Sequence, residues 1–69
     1  MFYKQLKVLR YTEGVSQEDM AQIQGITTSS YNRKENGKQP FLLNEALKIS
    51  NIFDKSIEEI FPYDMIENA

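Results

Sequence analysis

Between Ser16 and Lys38 the chain holds two short helical segments, each with its own start and stop signal, on either side of Gly25. Ser16 with Asp19 reads as a capping box, Asp standing where Glu or Gln is more usual. Glu18 and Asp19 also lie at the positive end of that helix's dipole. Met20, Ala21 and Ile23 supply its apolar contacts. Gly25 stops it with a positive φ, which glycine adopts freely, and Ile26 follows as the buried plug of the turn. Thr27 caps a further helix from Thr28 to about Glu35, and Asn36-Gly37 ends it. Two helices joined by three or four residues cannot bury themselves, so the rest of the chain reads as the scaffold that holds them.

The scaffold is helical by the same signals. Phe2, Leu6 and Leu9 fall at i, i+4, i+7, with Val8 and Tyr11 widening the stripe. Gly14 ends this first helix near Thr12 or Glu13. Pro40 bars an early restart after the central pair. A fourth helix runs from Leu42 or Leu43 to Phe53, with Leu43, Ala46, Leu47, Ser50 and Phe53 at helical spacing and Ile49 and Ile52 beside them. Ser56 and Glu59 form a second capping box opening a fifth helix, Ile57 to Phe61, which Pro62 ends. No alternating run of strand type stands out, and no repeat, linker or low-complexity stretch appears. The expected fold is all-α, a compact bundle of five short helices, with residues 1–61 as the domain and 62–69 as a tail.

The outward face of the third helix carries the functional signal. With Thr28 at zero and about 100° per residue, Thr28, Asn32, Ser29 and Arg33 share one arc of roughly 140°, while Tyr31 lies opposite and packs inward. Lys34 flanks Tyr31, its stem on the core and its amine reaching out. A solvated helix face is commonly built from strong helix formers such as Glu and Lys. Here it is hydroxyl, hydroxyl, amide and guanidinium, groups that bond base edges and phosphates. Arg33 suits O6 and N7 of a guanine, and Asn32 suits an adenine. The arrangement fits a probe for a DNA groove.

Composition narrows the alternatives. The 69 residues make one small domain and contain no Cys and no His, so disulfides, thiolate zinc sites and the commonest general base are missing. There is no glycine-rich phosphate loop, and Glu58-Glu59 is explained by the cap and the helix dipole, so enzymatic function, metals and cofactors are not expected. No apolar run approaches the roughly 18 residues of a membrane span, and the first ten residues are too charged for a secretory signal, so a cytoplasmic protein is expected. Net charge is −2, low for a DNA binder, but unevenly spread. Residues 1–40 carry six Lys or Arg against four Asp or Glu, and residues 41–69 carry two against six. The acidic end can face away from phosphates.

The chain resembles the phage-repressor and Cro-like, Xre-type helix-turn-helix family. The resemblance rests on Leu6, Leu9 and Arg10, the run Ser16 to Ala21, Gly25-Ile26-Thr27, Tyr31, and Arg33 to Lys38. Ala46 to Ile49 and Ser56 to Phe61 extend it, so it covers about residues 4–61. It implies a cytoplasmic DNA-binding transcription regulator of five helices whose third lies in the major groove of an operator. Thr28, Ser29, Asn32 and Arg33 become the base-reading candidates. Gln17, Thr27, Ser30, Asn36 and Lys38 match positions that touch the DNA backbone, and Arg10 and Glu35 match positions that pair in some relatives. The chain departs from the pattern at Gln24, where relatives often have Leu or Ile and where Ile23 is expected to pack instead. It departs also at Lys34, often apolar, and at Asp54-Lys55, in place of a Gly-Val turn.

Relatives read two half-sites as dimers. Phe61, Tyr63, Met65 and Ile66, at and beyond the fifth helix, are the expected homodimer contact; a tail folded back on its own core is the competing reading. The function expected is a small repressor of phage, plasmid or mobile-element type, with no small-molecule ligand indicated. A protein-interaction module of the same fold, an antitoxin or adaptor, is the alternative, and the polar third helix argues against it.

Overall fold

The computed structural model describes residues 4–61 and the backbone of residues 66–67. The elements run α1 (Lys4–Glu13), α2 (Gln17–Gln24), α3 (Thr28–Glu35), β1 (Phe41–Leu42), α4 (Leu43–Phe53), α5 (Ile57–Ile60) and β2 (Ile66–Glu67). The five expected helices are present, and among the described residues the all-α bundle has one addition. Phe41 and Leu42 pair in parallel with Ile66 and Glu67. Two residues a side are too few to leave an alternating pattern, which is why the ladder is invisible in the sequence.

Local chemistry sets the boundaries. Ser16 Oγ accepts from the Asp19 N–H at 3.0 Å and the Asp19 carboxylate accepts from the Ser16 N–H at 3.2 Å, a complete capping box with the shorter acid. Thr27 Oγ1 accepts from the Ser30 N–H at 3.0 Å. At α5 the serine arm of the expected box is formed, Ser56 Oγ accepting from the Glu59 N–H at 3.3 Å, without the return arm from the Glu59 side chain. Leucine cannot accept, so α4 has a different half-box: Glu45 Oε1 takes the Leu42 N–H at 2.9 Å. Gly14 and Gly25 both adopt φ +70 at helix ends. After α4 the same left-handed role falls to Asp54, at φ 54.

Leu6, Met20, Tyr31, Phe41 and Ile49 are fully buried at the centre, with Phe53, Ile60 and Phe61 closing one end. Tyr31, Phe41 and Phe61 form an edge-to-face aromatic series, with centroids 6.2 and 5.1 Å apart. Several expected core positions lie on the rim instead. Val8 and Tyr11 are exposed, and α1 turns Arg10 inward in their place. On α4, Glu45, Ala46, Ile49, Ser50 and Phe53 form the buried face, and Leu43, Leu47 and Ile52 flank it in solvent. On α2 the buried group is Met20, Ala21 and Gln24, at i, i+1, i+4; Ile23 falls off that face and is exposed, so it does not substitute for Gln24. Phe2 and Pro62 lie outside the described residues, and α5 ends at Ile60, with Phe61 extended after it.

Candidate nucleic-acid interface

Helices α2 and α3 are joined by a short turn through Gly25 and Ile26, whose backbone donors both bond back to α2. The Gly25 N–H reaches Gln22 O at 3.1 Å and the Ile26 N–H reaches Ala21 O at 3.0 Å, closing α2 while Ile26 tucks against the core. Thr27 then opens α3 without a spacer. The result is two eight-residue helices with their contact face buried through Met20, Ala21 and Tyr31.

The outward side of α3 brings Thr28, Ser29, Asn32 and Arg33 together, all four exposed. Arg33 Nη1 donates to Ser29 Oγ at 3.0 Å, one turn back, which holds the guanidinium along the helix. Asn32 Nδ2 donates to Gln17 Oε1 at 3.2 Å, and Asn36 Nδ2 donates to Asn32 O at 2.9 Å and to Asn32 Oδ1 at 3.2 Å. Gln17 at the start of α2 and Asn36 at the end of α3 therefore flank the same amide. Lys38 is exposed just beyond. Ser30 is half-buried, and the Thr27 hydroxyl is occupied as a helix cap.

Beneath this face sits a buried ionic cluster. Arg10 Nε donates to Glu35 Oε2 at 2.8 Å and Arg10 Nη2 to Glu35 Oε1 at 2.9 Å, a two-point pair joining α1 to the end of α3. Arg10 Nη1 also reaches Val15 O at 3.1 Å, and the guanidinium carbon lies 4.9 Å from the Tyr11 ring centroid. The Tyr31 hydroxyl donates to Glu35 Oε2 at 2.7 Å, and Gln17 Nε2 donates to Glu35 Oε1 at 3.1 Å. Burial by itself would raise the Glu35 carboxyl; hydrogen bonds from Arg10, Tyr31 and Gln17 outweigh it and hold the group below the usual carboxylate range. The Glu35 bond pushes Arg10 up. Tyr31 is pushed up by burial first and by the carboxylate second. At neutral pH the cluster is therefore a carboxylate, a guanidinium and a protonated phenol.

Sequence reasoning placed Arg10 and Glu35 as a pair and Tyr31 in the core, but missed the phenol and Gln17 as partners of Glu35. It also sent the Lys34 amine to solvent. The structure corrects this: Lys34 Nζ meets Glu45 Oε1 at 2.7 Å, both side chains about nine-tenths buried. Gln24 Nε2 donates to Glu45 O at 3.3 Å, and its Oε1 is buried without a partner. No local signal marks Glu45 for this role, because its partners come from α2 and α3. Phe61 requires a correction too: it is 2 % exposed and packed on Phe41, so it belongs to the core and is unavailable as a dimer contact. Tyr63, Met65 and the Ile66 side chain lie outside the described residues.

Among the described residues no helix is long and apolar enough to cross a membrane. A helix-turn-helix family model matches residues 6–60, from α1 to the end of α5. No curated protein and no solved structure matches the chain.

Proposed function

Because the chain belongs to the helix-turn-helix family of Xre and lambda-repressor type, whose members are DNA-binding regulators, we propose that it is a sequence-specific repressor that reads a palindromic operator as a homodimer. The observation that carries this reading is the exposed face of α3, where Thr28, Ser29, Asn32 and Arg33 converge on a helix held rigidly against the core. Inserted in a major groove, these four supply the donors and acceptors of base readout. Gln17, Thr27, Ser30, Asn36 and Lys38 surround them as backbone contacts that set register. The Thr27 oxygen already serves as a cap to the Ser30 N–H, so Thr27 meets a phosphate through its hydroxyl hydrogen.

The two copies meet through α5 and the residues after it, with Tyr63, Met65 and Ile66 as the contact and Phe61 as the core residue that anchors the segment. The regulator works in the cytoplasm, where its DNA is, and is of phage, plasmid or mobile-element type. No ligand enters this account: control lies in protein concentration and operator competition.

Selection of bound duplexes from a random pool tests the reading. The expected product is a palindrome with half-sites about 34 Å apart, one turn of DNA. A single unpaired half-site would remove the dimer, and no enrichment at all would remove the sequence-specific function.

A further inference from the structure

The ionic cluster and the reading face are joined by a chain of amides with a fixed direction. Glu35, held as a carboxylate, can only accept hydrogen bonds. Gln17 must therefore turn its Nε2 toward Glu35 Oε1, at 3.1 Å, which leaves its Oε1 facing Asn32. An oxygen there demands a donor, so Asn32 presents Nδ2 to Gln17, at 3.2 Å, and Oδ1 to the opposite side. Asn36 Nδ2 meets that oxygen at 3.2 Å. Each step admits one orientation of an otherwise reversible amide, and the first step is set by a residue that is fully buried.

We propose that Gln17 is a positioning residue that transmits the acceptor-only character of Glu35 to Asn32, so that the Asn32 amide is presented to DNA in one orientation only. The part of this that concerns DNA rests on the reading of α3 given above; the orientation itself is a property of the free protein. With one Nδ2 hydrogen used by Gln17 and one Oδ1 lone pair used by Asn36, Asn32 keeps one donor and one acceptor side by side. That pair complements N7 and the N6 amino group of adenine. An amide free to turn over offers the pair in either order and holds the preference less tightly. Gln17 retains its second Nε2 hydrogen, so a phosphate contact from the same residue is compatible with the relay.

Gln17→Met keeps the length of the side chain and removes both bonds, while Glu35 keeps Arg10 and Tyr31 as partners, so the variant retains its fold. Two measurements on it separate the relay from the DNA reading. In free protein, nitrogen–proton NMR follows exchange of the Asn32 Nδ2 protons with water. Exchange about tenfold faster in Gln17→Met, with the melting temperature within a few degrees of the parent, is expected for loss of one hydrogen bond. Equal exchange in the two proteins overturns the relay whether or not DNA is bound. In duplex selection, Gln17→Met should lose about tenfold of its adenine preference at one position of each half-site and keep its preferences elsewhere. Uniform weakening at every position would reduce Gln17 to a phosphate contact and overturn the specificity role. If neither protein enriches any duplex, the operator reading fails and the exchange measurement alone decides the relay.

Discussion

Glu35 has no exposed surface and three side chains donating to it, from α1, α2 and its own helix. A carboxylate in that position is tolerable because Arg10 pairs its charge at two points and neutral donors complete its hydrogen bonds; taking the charged partner away leaves an uncompensated charge in the core. Two routes remove the same interaction and should agree. Arg10→Ala at neutral pH is expected to cost about 3–5 kcal/mol, which at roughly 4–8 °C per kcal/mol for a domain of this size is a large drop in melting temperature by circular dichroism. Protonating Glu35 does the same in acid. Its folded pKa lies below its unfolded value of about 4.3, so its contribution is fully present above that value and is lost as pH falls through the folded one. Melting temperature in the parent should therefore fall steeply below about pH 4, and in Arg10→Ala the fall should be shallower because the main lowering contact is already gone. An Arg10→Ala protein that melts with the parent would show the pair to be incidental.

Helix boundaries are set by local torsions, and among the described residues Asp54 is the one non-glycine at positive φ. Asp54 ends α4 at φ 54, where an L residue with a Cβ is strained and Asp is among the better tolerated. The turn to α5 needs that conformation because the Lys55 N–H returns to Ser50 O at 3.0 Å. Asp54→Val is expected to be less stable than Asp54→Gly by about 1–2 kcal/mol, read as a difference in urea midpoints. Equal midpoints would mean that the turn rearranges to avoid the left-handed residue. The capped start of α3 has the opposite character: the Thr27 side chain bonds the Ser30 N–H, a local contact that fixes where α3 begins without help from the core.

Along the sequence, charge is divided unevenly between the two halves. Six cations lie in residues 1–40, but Arg10 and Lys34 are committed to Glu35 and Glu45, so at most four from that half of each copy can meet phosphate. Binding to the selected duplex should then lose affinity with salt at a slope of about 4 or less per copy in a plot of log K against log salt. A steeper slope would place cations of the acidic second half on the DNA as well. The parallel ladder between β1 and β2 also joins distant parts of the chain. It brings the backbone of Ile66 and Glu67 back against the start of α4, so the segment following α5 is tied to the domain it leaves.

Wherever a few neighbouring residues decide the outcome, the sequence was sufficient. Ser16 with Asp19, Thr27, Gly14 and Gly25 act through bonds or torsions within one turn of the chain, and the helices begin and end where those residues place them. The exposed arc of α3 was legible for the same reason, since it follows from helical pitch alone. Burial at the rim was a different matter. Leu43, Leu47, Val8 and Tyr11 have the right spacing and lie in solvent, while Gln24, Glu45 and Lys34 are taken inward, because burial depends on which distant element arrives beside each face. The same holds for the partners of Glu35. The pairing with Arg10, 25 positions away, was visible only through resemblance. That Gln17 and the Tyr31 hydroxyl converge on the same carboxylate was decided when α1, α2 and α3 packed, because only that packing brings donors from three helices to one buried charge.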